Sequence, residues 1–426
     1  MKMELSTSDK IIRHTCSVFF LCFCFGYLYF MQGELLAEAQ YVFSHGITHY
    51  SILIGAIIIT LVLWLMQWLI ARFVSFPTRC FTLTYLPSFL VLAVLTGLSR
   101  QCVAEASFAP WHWLAPLILL LWVLFVYVMN RLTTSRGTGH KVSTADRNEQ
   151  GIGRDLWPNY FIFLAMMLIC GITNPADDVW HYELKAERLI LEQRYEEAAQ
   201  VGIEGEATSP RLNSLRHYAL VRQDPSRLPD DIFLYPQPYG LEGLLQLSDT
   251  SRRLERLTAT DITAWLGAHA VDTRMPLDRF LQLGLRLEQA HLDSLLAVDS
   301  LYLANASDSI RHQHAGAVGT LRRHVRATAD YRLCALLLKK DLPQFLAEIP
   351  EYYPQVADTL DEVRASLPRA YRQALAIIRP EWTDSTTLHQ YYSYAAMLDT
   401  LTTPRSRRNL TRYELGRNYW WYFDFQ

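Results

Sequence analysis

A chain of 426 residues is long enough for two or three domains, and a formal net charge of −2 gives no case for nucleic-acid binding. Half of its residues are hydrophobic, yet this average hides two different halves. Up to about residue 172 apolar stretches dominate; beyond it the chain is mixed and charged, with only short apolar groups.

Taken in chain order, the apolar runs are Cys16–Met31, Ile52–Ile70, Cys80–Leu98, Trp111–Met129 and Trp157–Ile172, and none contains Asp, Glu, Lys or Arg. About 20 apolar residues cross a hydrocarbon core, and somewhat shorter runs do so when their flanks snorkel. Read instead as buried helices of a soluble core, these runs would need a far larger partner domain than the chain supplies. They predict five transmembrane helices in a domain over residues 1–173. Pro158 and Asn159, at the start of the last run, read as interfacial.

Loop charge orients the bundle. Lys2, Lys10 and Arg13 precede the first run, and Arg72 and Arg79 lie between the second and third. Arg131, Arg136, Lys141, Arg147 and Arg154 lie between the fourth and fifth. The other two loops, residues 32–51 and 99–110, hold only Arg100. The bias puts the N-terminus in the cytoplasm, and five crossings put everything after Ile172 on the far side. A competing reading takes the first run as a signal peptide cleaved near Ala37-Glu38-Ala39. The loop 132–155, rich in Ser, Thr and Gly, reads as a flexible cytoplasmic segment.

The first outer loop holds candidate metal ligands, Glu34, Glu38, His45 and His49, which with His112, His181, Asp177 and Asp178 near the same side form a polar cluster of the kind that holds a metal or a haem edge. The histidines stand in "HGITH", the i,i+4 spacing that binds zinc when it is helical. The plainer reading is interfacial histidines and a helix cap. His312 and His314, in "HQH", have no nearby Cys or carboxylate partner. No nucleophile triad, phosphate loop or nucleotide fingerprint can be assigned, so no cofactor is expected. Of seven cysteines, only Cys102 and Cys334 face the side expected to be oxidising, and a disulfide between them is the one pairing open to the chain there. Asn305-Ala-Ser and Asn409-Leu-Thr are glycosylation acceptors only in a eukaryotic host.

Residues 174–426 read as an all-helical domain. Asp177 and Asp178 cap a helix running to about Glu192, with Trp180, Leu184, Leu189 and Leu191 on an apolar face. Glu192-Gln193-Arg194 turns the chain, and Tyr195, Ala198, Ala199 and Val201 mark a second helix packed back on the first. This is the pattern of a tetratricopeptide turn, in which small residues allow close approach and an aromatic fills the gap. "ALLLKKDLPQFLAEI", residues 335–349, repeats it, with Leu342 matching Tyr195, Leu338 matching Leu191 and Phe345 matching Ala198. Further helices are expected at residues 212–222, 261–268, 277–304 and 321–327, and prolines break the chain around 224–240. A generic all-α bundle is the alternative. In the tail "NYWWYFDFQ", the aromatics read as a plug in the last helical pair, a membrane-interface anchor or a docking strip.

The order "NPADDVWHYELKAERLILEQRYEEAAQ", "LNSLRHYALVRQDPSRLPDDIFLYPQPYGLEGLL" and "LLLKKDLPQFLAEIPEYYPQ" resembles an uncharacterised family of multi-span membrane proteins of Bacteroidota with a C-terminal tetratricopeptide-like region. The resemblance implies an inner-membrane protein with its helical domain in the periplasm, and it carries no activity. The expectation is an all-α protein, a five-helix membrane bundle followed by an irregular helical-repeat domain. Its partners are then the lipid bilayer and a periplasmic protein, in a scaffold or assembly role. The alternative is a membrane enzyme or transport component, such as one handling lipid-linked glycans, with its site at the outer face of the spans.

Overall fold

The computed structural model describes residues 7–45, 47–48, 50–74, 76–104, 111–135, 153–172, 178–244, 289–290, 292–294, 296–297 and 308–426. Among them every regular element is helical. The chain divides into two compact units, Met1–His181 and Tyr182–Gln426.

The first unit is a bundle of apolar helices. Helix α1 (Thr7–Gly26) continues through a π-helical turn to Met31, and α2 (Gly33–Phe43) follows. Next come α3 (Ile52–Phe73), a tight 3₁₀ stretch Thr78–Tyr85 leading into α4 (Leu86–Thr96), the short α5 (Arg100–Ala104), α6 (Trp111–Ser135) and α7 (Gly153–Ile172). Among the described residues four segments are long and apolar enough to cross a membrane: Asp9–Met31, Ile52–Phe73, Thr78–Thr96 and Trp111–Met129. The fifth expected span is shorter in its apolar part, Leu156–Ile172, because Arg154 and Asp155 occupy the first turn of α7.

Polar rungs give the direction of each helix. Thr78 Oγ1 donates to Asp9 at 2.7 Å, Ser17 and Tyr85 hydroxyls meet at 3.0 Å, and Tyr27 reaches the Cys170 carbonyl at 3.5 Å. Asn159 bonds Thr78 and Thr82, while the Cys170 thiol lies 3.6 Å from the Phe89 carbonyl. Helices α1, α4 and α7 therefore run parallel. Gln67 bonds Thr84 and Ser88 bonds the Leu63 carbonyl, so α3 runs opposite. Trp111 bonds the Gly97 carbonyl and Trp122 that of Leu83, so α6 also runs opposite. Phe20, Tyr85, Phe89 and Phe163 form the ring cluster at the centre. The outer faces of α3, α6 and α7 leave Ile54, Val62, Leu120, Leu124, Leu164 and Leu168 exposed, a density of apolar surface that water does not tolerate and lipid does.

Two positions singled out in the sequence take definite surroundings here. Asn159, at the start of the last apolar run, is fully buried, accepting from the Thr82 amide at 2.9 Å and donating to the Thr78 carbonyl at 2.7 Å. The 3₁₀ stretch leaves backbone groups without helical partners, and a side-chain amide, carrying both donor and acceptor, satisfies one of each. Ala37 and Ala39 lie inside α2 and are buried, so the candidate cleavage site is held in a helix rather than in an extended strand.

The second unit holds α8 (Asp178–Leu191, begun in the first), α9 (Tyr195–Gln200), α10 (Pro210–Gln223), α11 (Leu228–Asp231), α12 (Asp308–Leu338) and α13 (Leu342–Tyr352). It ends with α14 (Asp361–Ala365), α15 (Arg369–Ile378), α16 (Ser385–Thr400), α17 (Pro404–Leu415) and α18 (Tyr419–Phe425). Helix α10 is buried along its length, from Arg211 to Val221. The expected helix 321–327 is only part of the 31-residue α12. The expected helix 261–268, most of 277–304, Asn305 and most of the loop 132–155 lie outside the described residues.

Candidate functional site

Both turns singled out in the sequence are built the same way. Gln193, at φ 59°, gives its amide to the Ile190 carbonyl at 3.0 Å, and Arg194 gives its own to Leu189 at 2.8 Å. Lys340, at φ 60°, donates to Leu337 at 3.0 Å, and Asp341 to Leu336 at 2.9 Å. Each is a helix end closed by a left-handed residue and two crossed hydrogen bonds. The next helices start in the same register, Ala198 N–H bonding the Arg194 carbonyl and Phe345 N–H that of Asp341. The flanking helices differ, with 14 and 6 residues around the first turn and 31 and 11 around the second. A 34-residue repeat would make them alike.

At the first turn Ala198 and Ala199 are buried, but Tyr195 is only half-buried, with the Arg222 guanidinium over its ring at 5.8 Å. At the second, Leu342 and Phe345 are both buried, and Phe345 packs on Tyr371. The gap-filling aromatic thus sits one turn inside the helix at the second site.

Around these turns lie buried polar groups that the sequence does not announce. Asp330 is fully enclosed. Its Oδ1 accepts from Tyr353 at 2.6 Å and Tyr371 at 2.8 Å; Arg326 approaches Oδ2 at 3.5 Å and lies over the Tyr353 ring. Burial pushes the Asp330 carboxyl up to about 6, against the pull of Arg326 and the two phenols. Burial likewise raises the Cys334 thiol, 3.9 Å from the Tyr371 hydroxyl. On α10, Arg216 is fully buried and donates to the carbonyls of Val201 and Ala207 and to Asn213. Gly202, at φ 70°, gives it room: a Cβ there would come within 3.1 Å of the guanidinium. His217 faces the Gln237 amide on Nε2 and the Leu244 carbonyl on Nδ1, and burial pushes its pKa down to about 4. It is a neutral imidazole with its proton on Nδ1. These groups are closed to solvent, so they bind protein rather than substrate.

The aromatic tail belongs to the same core. Tyr419, Trp420, Trp421 and Tyr422 are buried. Tyr422 donates to the Leu338 carbonyl at 2.7 Å and Tyr419 reaches that of Leu337 at 3.4 Å; Lys340 Nζ returns a bond to Phe423 at 2.8 Å. The tail therefore caps the last carbonyl of α12, that of Leu338, and adds a second donor to the Leu337 carbonyl that already accepts from Lys340. Trp420 Nε1 donates to the Gln373 carbonyl at 2.8 Å. Four of its six aromatics are thus committed inside the unit and are not on offer to a membrane interface.

The candidate ligands of the first outer loop are not drawn together. Helix α2 ends at Phe43, and His45 follows exposed at φ 53°. That break removes the helical turn which an i,i+4 histidine pair needs. Glu38 is buried and Glu34 half-buried in α2, and His49 lies outside the described residues. Among the described residues no three His, Cys, Asp or Glu side chains group to hold a metal. His112 is exposed, His181 half-buried, and His312 and His314, two apart on α12, point to different sides of the helix. Cys102 and Cys334 are both free thiols, each buried in its own unit.

A family of unknown function (DUF6057) matches residues 312–426. The match takes in Asp330, Tyr353, Tyr371 and the whole aromatic tail. No curated protein and no solved structure matches the chain. Its C-terminal part thus matches an uncharacterised family, and among the described residues, all of whose regular elements are helical, four helices are long and apolar enough to span a membrane.

Proposed function

We propose that this chain is a five-span inner-membrane protein of a bacterium, of the Bacteroidota type its sequence resembles, that presents a tetratricopeptide-like helical domain to the periplasm as an interaction or assembly scaffold. Helix α7 carries the reading. Its apolar part, Leu156–Ile172, measures about 25 Å, at the short end of what crosses the hydrocarbon core and within what bilayer thinning accommodates. It runs beside α1 and α4 in their direction, with Asn159 at one end and Cys170 at the other. Its outer face is Phe161, Leu164, Leu168 and Ile172, all exposed. A helix built this way belongs in lipid, and a fifth crossing sends the chain to the side opposite Arg13, Arg72, Arg79 and Arg131.

A helical scaffold needs no chemistry of its own. Tethering it to the bilayer confines the partner search to a thin layer and raises effective concentration. Photo-crosslinking residues placed at exposed Leu360, Tyr392 and Leu410 in cells test it. The reading expects one recurrent protein adduct from at least one position. Adducts to lipid alone, or none from any position, would refute the scaffold role.

A further inference from the structure

The second unit holds a cleft of about 700 Å³. One wall is α17 and the turn after it, contributing Asn409, Arg412 and Arg417; the opposite wall is the loop after α9, contributing Glu206, and the corner at Leu234 and Pro236. Arg412 and Glu206 form an ion pair across the cleft. Glu206 holds a left-handed backbone, φ 49°, which costs a non-glycine residue energy. Arg417 lends its carbonyl to Arg369 at 3.4 Å, while its exposed guanidinium has no partner among the described residues. The cleft therefore holds two guanidinium groups against one carboxylate, beside an apolar corner.

We propose that this cleft binds a small organic oxyanion, a phosphate or carboxylate on an apolar or ring-bearing body. Arg417 and Arg412 grip the anion, and Asn409 supplies an amide donor. Planar guanidinium forks suit both oxyanions and bind them with paired hydrogen bonds. Glu206 competes from within for Arg412, so a ligand must displace it. The apolar body lies against Leu234 and Pro236. This goes beyond the scaffold reading and stands without it, since every residue used belongs to the second unit.

The test is calorimetric titration of the full-length chain in detergent with phenyl phosphate, benzoate and dihexanoylphosphatidylglycerol. At least one should bind one-to-one, more weakly as salt rises. Arg417→Gln should weaken it about tenfold, the loss of one charged hydrogen bond. Glu206→Gln should tighten it severalfold, because Arg412 is released. Neither exposed side chain supports the core, so melting of both variants should match the parent. Phenyl phosphate preferred over the lipid identifies a soluble phosphorylated ligand, the reverse a lipid headgroup, and benzoate preferred over both a carboxylate. The proposal is overturned if none of the three binds, or if Arg417→Gln and Glu206→Gln leave the affinity unchanged.

Discussion

Asp330→Asn removes a charge from the centre of the second unit while keeping an oxygen for Tyr353 and Tyr371. Folding raises the Asp330 pKa from 3.8 to about 6. The folded unit therefore holds this proton more tightly than the unfolded chain does. Stability from this group is fully present below pH 3.8 and is lost as pH rises through 6. Two pKa units correspond to about 3 kcal/mol, of which about 2 kcal/mol falls between pH 4 and 7.5. The asparagine does not titrate, so the difference between parent and variant should move by that amount, the parent gaining as pH falls. His217, depressed to about 4, loses stability as pH falls from 6.5, but it does so in both proteins and cancels. Cys334 is the only cysteine after residue 172 and is fully buried beside this site. Its labelling by a pyridyl disulfide, which stays reactive in acid, reports opening of this unit in the full-length chain. Urea titrations read by peptide mass spectrometry at each pH give the two stabilities. A difference independent of pH from 4 to 7.5 would show that Asp330 does not titrate as a buried carboxyl and would refute the reasoning.

Trp420 is buried and bonded through its indole to Gln373, so Trp420→Ala should cost about 3–5 kcal/mol; the same labelling assay checks it by faster modification of Cys334. Ala198→Leu should overpack the contact between α9 and α10 by about 1–3 kcal/mol. Tyr195→Ala should cost less than a fully buried aromatic, since Tyr195 is half-buried. Glu196→Ala breaks an exposed pair with Arg227 and an exposed hydrogen bond from Gln200 and should cost less than about 1 kcal/mol; melting of the three variants gives the ranking. Asn159→Leu strands the Thr82 amide and the Thr78 carbonyl inside the bundle and should cost about 1–2 kcal/mol, measured as earlier unfolding in SDS.

The apolar runs were readable because a bilayer demands continuous hydrophobicity, a signal that survives without any knowledge of packing. The helix ends at Gln193 and Lys340 share one backbone geometry, because a left-handed residue and two crossed hydrogen bonds close both. The depth of Tyr195 was not readable. Whether an aromatic at a turn is covered depends on Arg222, 27 positions away in the chain and on another helix. Asn159 sits at the edge of an apolar run, and nothing beside it announces its burial, which follows from a 3₁₀ stretch 77 residues earlier. For Asp330 only Arg326, one turn back on α12, is local; the phenols that bond it come from Tyr353, just after α13, and Tyr371 on α15, and the partners of His217 come from the segment after α11. The i,i+4 spacing of HGITH has meaning only on a continuous helix, and the chain leaves α2 before His45. Residues 419–422 allowed three readings until the carbonyls of Leu337 and Leu338 at the end of α12 supplied partners for Tyr419 and Tyr422.

The central claim is that α7 crosses the membrane and carries the helical unit to the far side. A reporter active only outside the cytoplasm, fused after Gln426 and separately at Gly137, tests it in one experiment. The account predicts activity from the fusion after Gln426 and silence from the fusion at Gly137. Silence from both would mean that the chain crosses four times and that the helical unit stays in the cytoplasm; activity at Gly137 alone would reverse the whole orientation.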